Sequence, residues 1–212
     1  MNFSEAIIPF SSKPLSYHLV RSLLQEYQRP NDKINELVKA GILSTLKRGL
    51  YIAGPKLTIA KPDHFLIANH LWGPSYVSID AALSWYGFIP ERVYEISSVT
   101  TKAAHKFSNT EGLFEYTRLP LPYYSFGIIQ ITLGSEQIAM IASPEKALCD
   151  KIITTAGLIL SSRQSSRYYL LENLRADKTL LKTLNTDVIE AWISAAPKKS
   201  SLQMLVKTLH KL

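Results

Sequence analysis

The sequence has little cysteine, no long hydrophobic run and no basic leader, and each absence narrows the class of protein. Its 212 residues include one cysteine, Cys149, which excludes an internal disulfide and favours a reducing compartment. No apolar run approaches the roughly 20 residues that a membrane-spanning helix needs. Residues 1–10 carry Glu5 where a signal peptide would be positively charged. We therefore expect a cytoplasmic protein with no membrane partner.

Complete motifs for catalysis, nucleotides and metals are also missing. Ser143 and Lys146 match the Ser-x-x-Lys of penicillin-recognising enzymes, but the Ser-Asp-Asn and Lys-Thr-Gly of those enzymes do not occur. A helix cap followed by a solvent-exposed lysine explains the tetrad better. The histidines are too scattered for a metal site, and no glycine-rich phosphate loop is present. We expect no cofactor, no metal and no enzymatic activity. A hydrolase or transferase would need Asp80, Glu145 or Asp150 to converge in one pocket.

Positive charge is concentrated near the start of the chain. The net charge is +7 and the pI is about 9.4. Residues 1–60 contain eight lysines and arginines against four acids, and residues 61–212 contain sixteen against thirteen. Between Glu36 and Asp63 there are five cations and no acid. A solvated basic loop and a polyanionic partner both fit this distribution.

Residues 1–60 predict two helices followed by a β-hairpin. Apolar residues recur at helical spacing after Ser16, a suitable N-cap, and again after Asn31, a second one. Gly41 is placed to stop the second helix. Strands are then predicted over residues 42–46 and 50–53, joined by a Lys47-Arg48-Gly49 turn in which Gly49 supplies the positive φ.

This order of elements is typical of a winged helix-turn-helix, in which the second helix enters a DNA groove and the hairpin is the wing. Cations at the wing tip would hold phosphates or a narrow minor groove, and Asn or Lys on the helix would contact bases or phosphates. The predicted DNA-binding residues are Asn31, Lys33, Asn35, Lys39, Lys47 and Arg48. Which helix reads the groove stays open, because Pro9 and Pro14 break the segment before the first helix. A protein-interaction module without specific DNA binding is the alternative.

The remaining residues, 61–212, predict a second, larger domain after a Pro/Gly-punctuated connection. Two helical segments come first, then short strands, with a hairpin turn at Gly134-Ser135-Glu136, and helices follow from Ser143 onward. The predicted fold class is α+β, with a winged helix-turn-helix over residues 1–60 and a mainly antiparallel sheet with C-terminal helices over residues 61–212.

Three stretches of the sequence resemble the AbiEi family of antitoxins and transcriptional regulators from bacterial phage-defence operons. They are INELVKAGILSTLKRGLYIAG, GPSYVSIDAALSWYGFIPE and ASPEKALCDKI, and they occur in the family's order over residues 34–152. The first is similar to the family's helix and wing, which ends on a basic residue, Gly, a hydrophobic residue and Tyr, here Arg48 to Tyr51. The third is similar to its Pro-Glu-Lys-Ala-Leu and Asp motif.

The resemblance implies a DNA-binding winged domain and a C-terminal antitoxin domain. Family members repress their own operon by binding inverted repeats in double-stranded DNA at the promoter. They also counter a nucleotidyltransferase-like toxin in a type IV toxin–antitoxin system, where a stable complex between the two proteins is not required. The resemblance implies no catalytic residue.

Overall fold

The computed structural model describes residues 3–91, 93–134 and 137–212. Its α-helices are α1 (Phe3–Ala6), α2 (Tyr17–Ser22), α3 (Pro30–Lys39), α4 (His64–Leu71), α5 (Ile79–Trp85), α6 (Pro144–Thr154), α7 (Arg163–Tyr168), α8 (Lys178–Leu181), α9 (Thr186–Ile193) and α10 (Lys199–Leu209). Its strands are β1 (Leu15–Ser16), β2 (Leu43–Lys47), β3 (Leu50–Ala53), β4 (Ser75–Val77), β5 (Glu95–Thr100), β6 (His105–Asn109), β7 (Gly112–Arg118), β8 (Ile128–Leu133) and β9 (Gln137–Ala142). A π-helical turn, Tyr169–Asn173, continues α7.

The N-terminal unit runs in the order α1, β1, α2, α3, β2, β3. Its three strands form an antiparallel sheet in the spatial order β1–β3–β2. Helix α2 is shorter than the apolar spacing predicts and ends at Ser22, although Ser16 caps it as expected by accepting from the Leu19 amide at 3.2 Å. The predicted cap Asn31 is wrong, because α3 begins at Pro30 and its cap position is Arg29, two residues before Asn31. Gly41 follows the end of α3, as predicted, and has a positive φ of 71°.

Strand β1 and helix α1 were not predicted. The first ten residues are broken by proline but still form α1 and a 3-10 turn (Ile8–Phe10), through which Phe3 and Ile7 become buried. These two side chains belong to a core with residues from α2, α3 and the hairpin. The segment therefore stabilises the N-terminal unit despite its weak local signal.

The larger body contains a six-stranded sheet in the order β6–β7–β5–β4–β9–β8. Its outer pairs are antiparallel, and so is β4–β5, but β5–β7 and β4–β9 are parallel. The sheet is therefore mixed, with three antiparallel and two parallel strand pairs. The short strands predicted before Ser143 are confirmed as β5 to β9, whereas β4 was missed. Within the predicted turn after β8, Ser135 and Glu136 lie outside the described residues.

The helical predictions for this body largely hold. Asp63 caps α4, and Ser143 caps α6 by accepting from the Lys146 amide at 3.3 Å. Ser78 occupies the cap position of α5 but does not cap it with its side chain, since its hydroxyl donates to Asp150 at 2.7 Å. The hydroxyl of Ser97, on β5, accepts from the third residue of α5 instead. In the described part of the chain, no helix combines the length and hydropathy that crossing a bilayer requires.

The β2–β3 hairpin lies between two hydrophobic cores. Leu43 and Ala53 pack in the small N-terminal core, whereas Leu46, Leu50 and Ile52 pack in the large core. Side chains alternate across a strand, so the hairpin covers one core with each face. The two units are thus joined through a shared element as well as through the connection that follows residue 53.

Candidate nucleic-acid interface

Three of the predicted DNA-binding residues line a groove between α3 and the hairpin turn. The groove is lined by Tyr17, Asn31, Ile34, Asn35, Arg48, Gly49 and Tyr51. Its volume is about 570 Å³, and its lining includes no carboxylate. Amide and guanidinium donors on such a surface can bond phosphate oxygens or the acceptors of base edges.

Local geometry holds the two walls of this groove together. The backbone amide of Tyr17 donates to the carbonyl of Gly49 at 2.9 Å, and its phenol donates to Asn31 Oδ1 at 2.8 Å. Gly49 has a φ of 80°, so the turn uses the backbone freedom that glycine provides. With its oxygen occupied, Asn31 keeps its amide NH₂ as a donor. Tyr17 is thus a residue of this site that the sequence analysis missed.

Helix α3 carries a polar stripe along its exposed side. Asn31, Asn35 and Lys39 are exposed and four residues apart, which places them on one side of the helix. Lys33 lies off this stripe and is bound locally: its Nζ is 2.6 Å from Glu36 Oε1 and 5.3 Å from the centre of the Tyr27 ring. The hydrogen bond with Glu36 is the main cause that raises the pKa of Lys33. The structure thus groups Asn31 and Asn35 with Arg48, places Lys39 one turn further along, and engages Lys33 elsewhere.

Lys47 is separated from Arg48 by the geometry of the hairpin. The turn was predicted as Lys-Arg-Gly, but Lys47 is the last residue of β2 and pairs with Leu50. Its Nζ donates to the Leu71 carbonyl at 2.5 Å, at the end of α4. Burial, and secondarily the charge of Lys102, lowers the pKa of Lys47. Lys47 therefore contacts the larger body, and only Arg48 is exposed at the turn.

A second polar groove lies at the connection between α2 and α3. Its lining residues are His18, Arg21, Ser22, Gln25, Tyr27, Gln28 and Pro30. None of these residues was predicted as a site. The signal that identifies them is their position: His18, Arg21 and Gln25 are spaced by three or four residues and exposed at or beyond α2.

The three carboxylates considered for catalysis have separate partners. Asp80 Oδ2 accepts from Lys151 Nζ at 2.8 Å, and Glu145 Oε1 accepts from the Asn185 amide at 3.1 Å. Asp150 is fully buried in the large core. These carboxylates do not converge on one pocket, and no group of three or more metal-ligating side chains occurs among the described residues.

The Ser-x-x-Lys segment lies in the core, and its lysine is not in solvent. Lys146 is fully buried; its Nζ is 3.0 Å from Asp150 Oδ1, donates to the Tyr123 carbonyl at 2.9 Å and lies 3.3 Å from the centre of the Tyr123 ring. Tyr76 and Ser78 donate to the other oxygen of Asp150 at 2.9 and 2.7 Å. Burial lowers the pKa of Lys146 and raises that of Asp150. The prediction of a solvent lysine was wrong, because the Lys146 side chain is enclosed by Tyr76 of β4 and by Tyr123.

Comparisons with known proteins identify the fold and leave the family undetermined. No protein-family model matches the sequence, and no curated protein matches it. Among solved structures, the chain is similar to the crystal structure of the RV2827C protein from Mycobacterium tuberculosis, with a TM-score of 0.64. The similarity covers 97% of this chain and 75% of that chain at 13% sequence identity. At this identity the likeness concerns the arrangement of helices and strands alone.

Proposed function

We propose that this protein is a sequence-specific DNA-binding repressor whose N-terminal unit is a winged helix-turn-helix. The strand order β1–β3–β2, with α2 and α3 between β1 and β2, supports this proposal because it places a hairpin beside the longer helix α3. In this arrangement α3 reads the major groove and the β2–β3 turn is the wing.

The observation that carries the proposal is the carboxylate-free groove that Asn35 and Arg48 both line. An asparagine on α3 can bond an adenine edge in the major groove, and an arginine on the wing can bond phosphate or enter a minor groove. The two side chains come from different elements but line one concave surface. Asn31 and Lys39 extend the same side of α3.

The test is a salt titration of binding to duplex DNA from the gene's own upstream region and to a random duplex of equal length. We expect tighter binding to the upstream DNA and a steep decrease of affinity with salt. Equal affinity for both duplexes would contradict the proposal of a sequence-specific repressor. Weak binding without salt dependence would favour a protein-interaction module.

Variants assign the two contacts. Arg48→Ala should weaken binding to both duplexes and reduce the magnitude of the log–log salt slope by about 1. Asn35→Ala should weaken binding to the upstream duplex preferentially, by about 1–3 kcal/mol if it makes a bidentate base contact. Arg167→Ala, at an exposed position on α7, removes the same charge as the Arg48 variant and is the matched control.

We further propose that the protein acts as an AbiEi-like antitoxin against a nucleotidyltransferase-like toxin. The support for this part is the resemblance over residues 34–152. Expression of the full chain from an unrelated promoter should protect cells that express the cognate toxin. The Arg48→Ala variant should protect equally well, because transcription from the native promoter plays no part in that assay. A failure of both proteins to protect would refute the antitoxin role and leave the repressor role intact.

A further inference from the structure

Two lysines from distant parts of the chain converge on Trp72, where the hairpin meets the larger body. Lys102 follows β5, and its Nζ lies 5.3 Å from the centre of the Trp72 ring. Lys47, at the end of β2, places its Nζ 6.0 Å from the same centre. The indole is half-buried, and Lys102 is exposed. This cluster of Lys47, Trp72 and Lys102 is termed the Trp72 patch.

The Trp72 patch is held in place by contacts from several elements. The Trp72 indole N–H donates to the Ala103 carbonyl at 2.9 Å. The ring of His105 stacks on it, with a centroid distance of 4.8 Å and an interplanar angle of 21°. Lys47 is fixed by its hydrogen bond to Leu71, and Asn109 of β6 donates to the Leu46 carbonyl at 3.1 Å. The hairpin is therefore anchored beside an ordered aromatic surface.

The positive charge of the patch is not neutralised within the described part of the chain. None of the ion pairs there involves Lys47 or Lys102. By contrast Lys106, on β6, lies 2.7 Å from Glu115 and 3.8 Å from Glu95. Two like charges near each other repel, and after burial, which is the larger cause, the charge of Lys102 further lowers the pKa of Lys47. A bound anion would relieve that repulsion.

We propose that the Trp72 patch is a second phosphate-binding site for duplex DNA, supplied largely by the body that follows the winged unit. This inference rests on the proposed DNA-binding function. Arg48 follows Lys47 in sequence, so their α-carbons are about 3.8 Å apart and the turn that carries the exposed Arg48 adjoins the patch, although the two side chains leave the hairpin in different directions. Phosphate contacts carry no direct base information. The patch therefore strengthens binding to all sequences and fixes the orientation of the larger body on the duplex.

The test compares two lysine variants of the full chain on the same upstream and random duplexes. Lys102→Gln removes an unpaired cation of the patch, whereas Lys106→Gln, four residues away, removes a cation already paired with two carboxylates. Neither side chain is buried, so both variants should fold. We expect Lys102→Gln to lower the affinity for both duplexes and to reduce the magnitude of the log–log salt slope by about 1. Lys106→Gln should change the affinity and the slope much less.

Each outcome bears on a different statement. A slope reduced by Lys102→Gln and retained in Lys106→Gln supports the patch. If Arg48→Ala reduces the slope but Lys102→Gln leaves it unchanged, the patch is refuted and the winged interface stands. Equal reductions of the salt slope in both lysine variants would also refute the patch, because they would indicate a general attraction between DNA and the protein's positive charge. If the unmodified protein binds no duplex, the proposed function fails first.

Discussion

The buried pair of Lys146 and Asp150 provides a direct test of how burial changes the contribution of an ion pair to the free energy of unfolding. Helix α6 carries a second lysine, Lys151, that also binds a carboxylate. The two N–O distances are close, 3.0 Å for Lys146–Asp150 and 2.8 Å for Lys151–Asp80. The exposures differ: both side chains of the first pair are 0% exposed, and those of the second are 21% and 36% exposed. A difference in stability between matched variants therefore reflects burial, together with the contacts that Lys146 makes with Tyr123, rather than the N–O distance.

Lys146→Met should decrease the free energy of unfolding by about 3–5 kcal/mol, because it leaves Asp150 in the core without its counter-charge. Lys151→Met should cost less, about 1 kcal/mol, since water can reach this partly exposed pair and replace the lost ammonium. Urea unfolding followed by circular dichroism measures both values. The total stability of a typical domain is about 5–15 kcal/mol, so the larger loss would remove much of it. The urea concentration at the unfolding midpoint is therefore the quantity to compare between the variants.

A double variant separates lost charge from lost packing. Lys146→Met combined with Asp150→Asn removes both charges and keeps an oxygen that Tyr76 and Ser78 can donate to. We expect the double variant to be more stable than Lys146→Met alone by about 1 kcal/mol or more, within the range measured for interacting neighbours. Equal costs for Lys146→Met and Lys151→Met would refute the reasoning.

Three further outcomes follow from the packing. Ser143→Ala should cost about 1 kcal/mol of unfolding free energy through the lost α6 cap, and protection from the toxin should decline only as stability does; lost protection at unchanged stability would make the segment a functional surface. Gly127→Ala should destabilise strongly and lower the thermal midpoint, because the added Cβ would lie 2.7 Å from Trp192 at a φ of 59°; an unchanged midpoint would contradict this. A fragment of residues 61–212 should fold but melt below the full chain and bind a hydrophobic dye, since the hairpin side chains in the large core are removed; an equal midpoint without dye binding would show that the hairpin adds nothing.

Much of the local structure could be predicted because its signals are local. The caps Ser16 and Ser143 and the turn glycines Gly41 and Gly49 act within a few residues of their position in the chain. The strands after residue 94 were recognisable by their composition and turns. The two shortest strands, β1 and β4, were not, because two or three residues carry no period and are stabilised only by their pairing partners.

The types of residue in the candidate site could be predicted from the sequence, but the surface that each side chain reaches could not. The sequence pattern predicts Lys47 and Arg48 together at the wing tip. The structure extends β2 by one residue, so that Lys47 pairs with Leu50 and contacts α4. Successive side chains point to opposite faces of a strand, and a shift of one residue therefore changes which surface a side chain reaches. Tyr17 and Lys102 carried no signal, because both acquire their roles from residues distant in sequence.

The sequence by itself determined a mixed α+β chain, a basic N-terminal unit with a helix–helix–hairpin order, and the capped helix α6. Only the tertiary structure decided which charges are used and where. Lys146 and Lys151 both follow a cap on the same helix, yet one is in the core with Asp150 and the other is near the surface with Asp80. The physical reason is that caps and periodicity depend on near neighbours, whereas burial and charge pairing depend on which distant strand packs against each face.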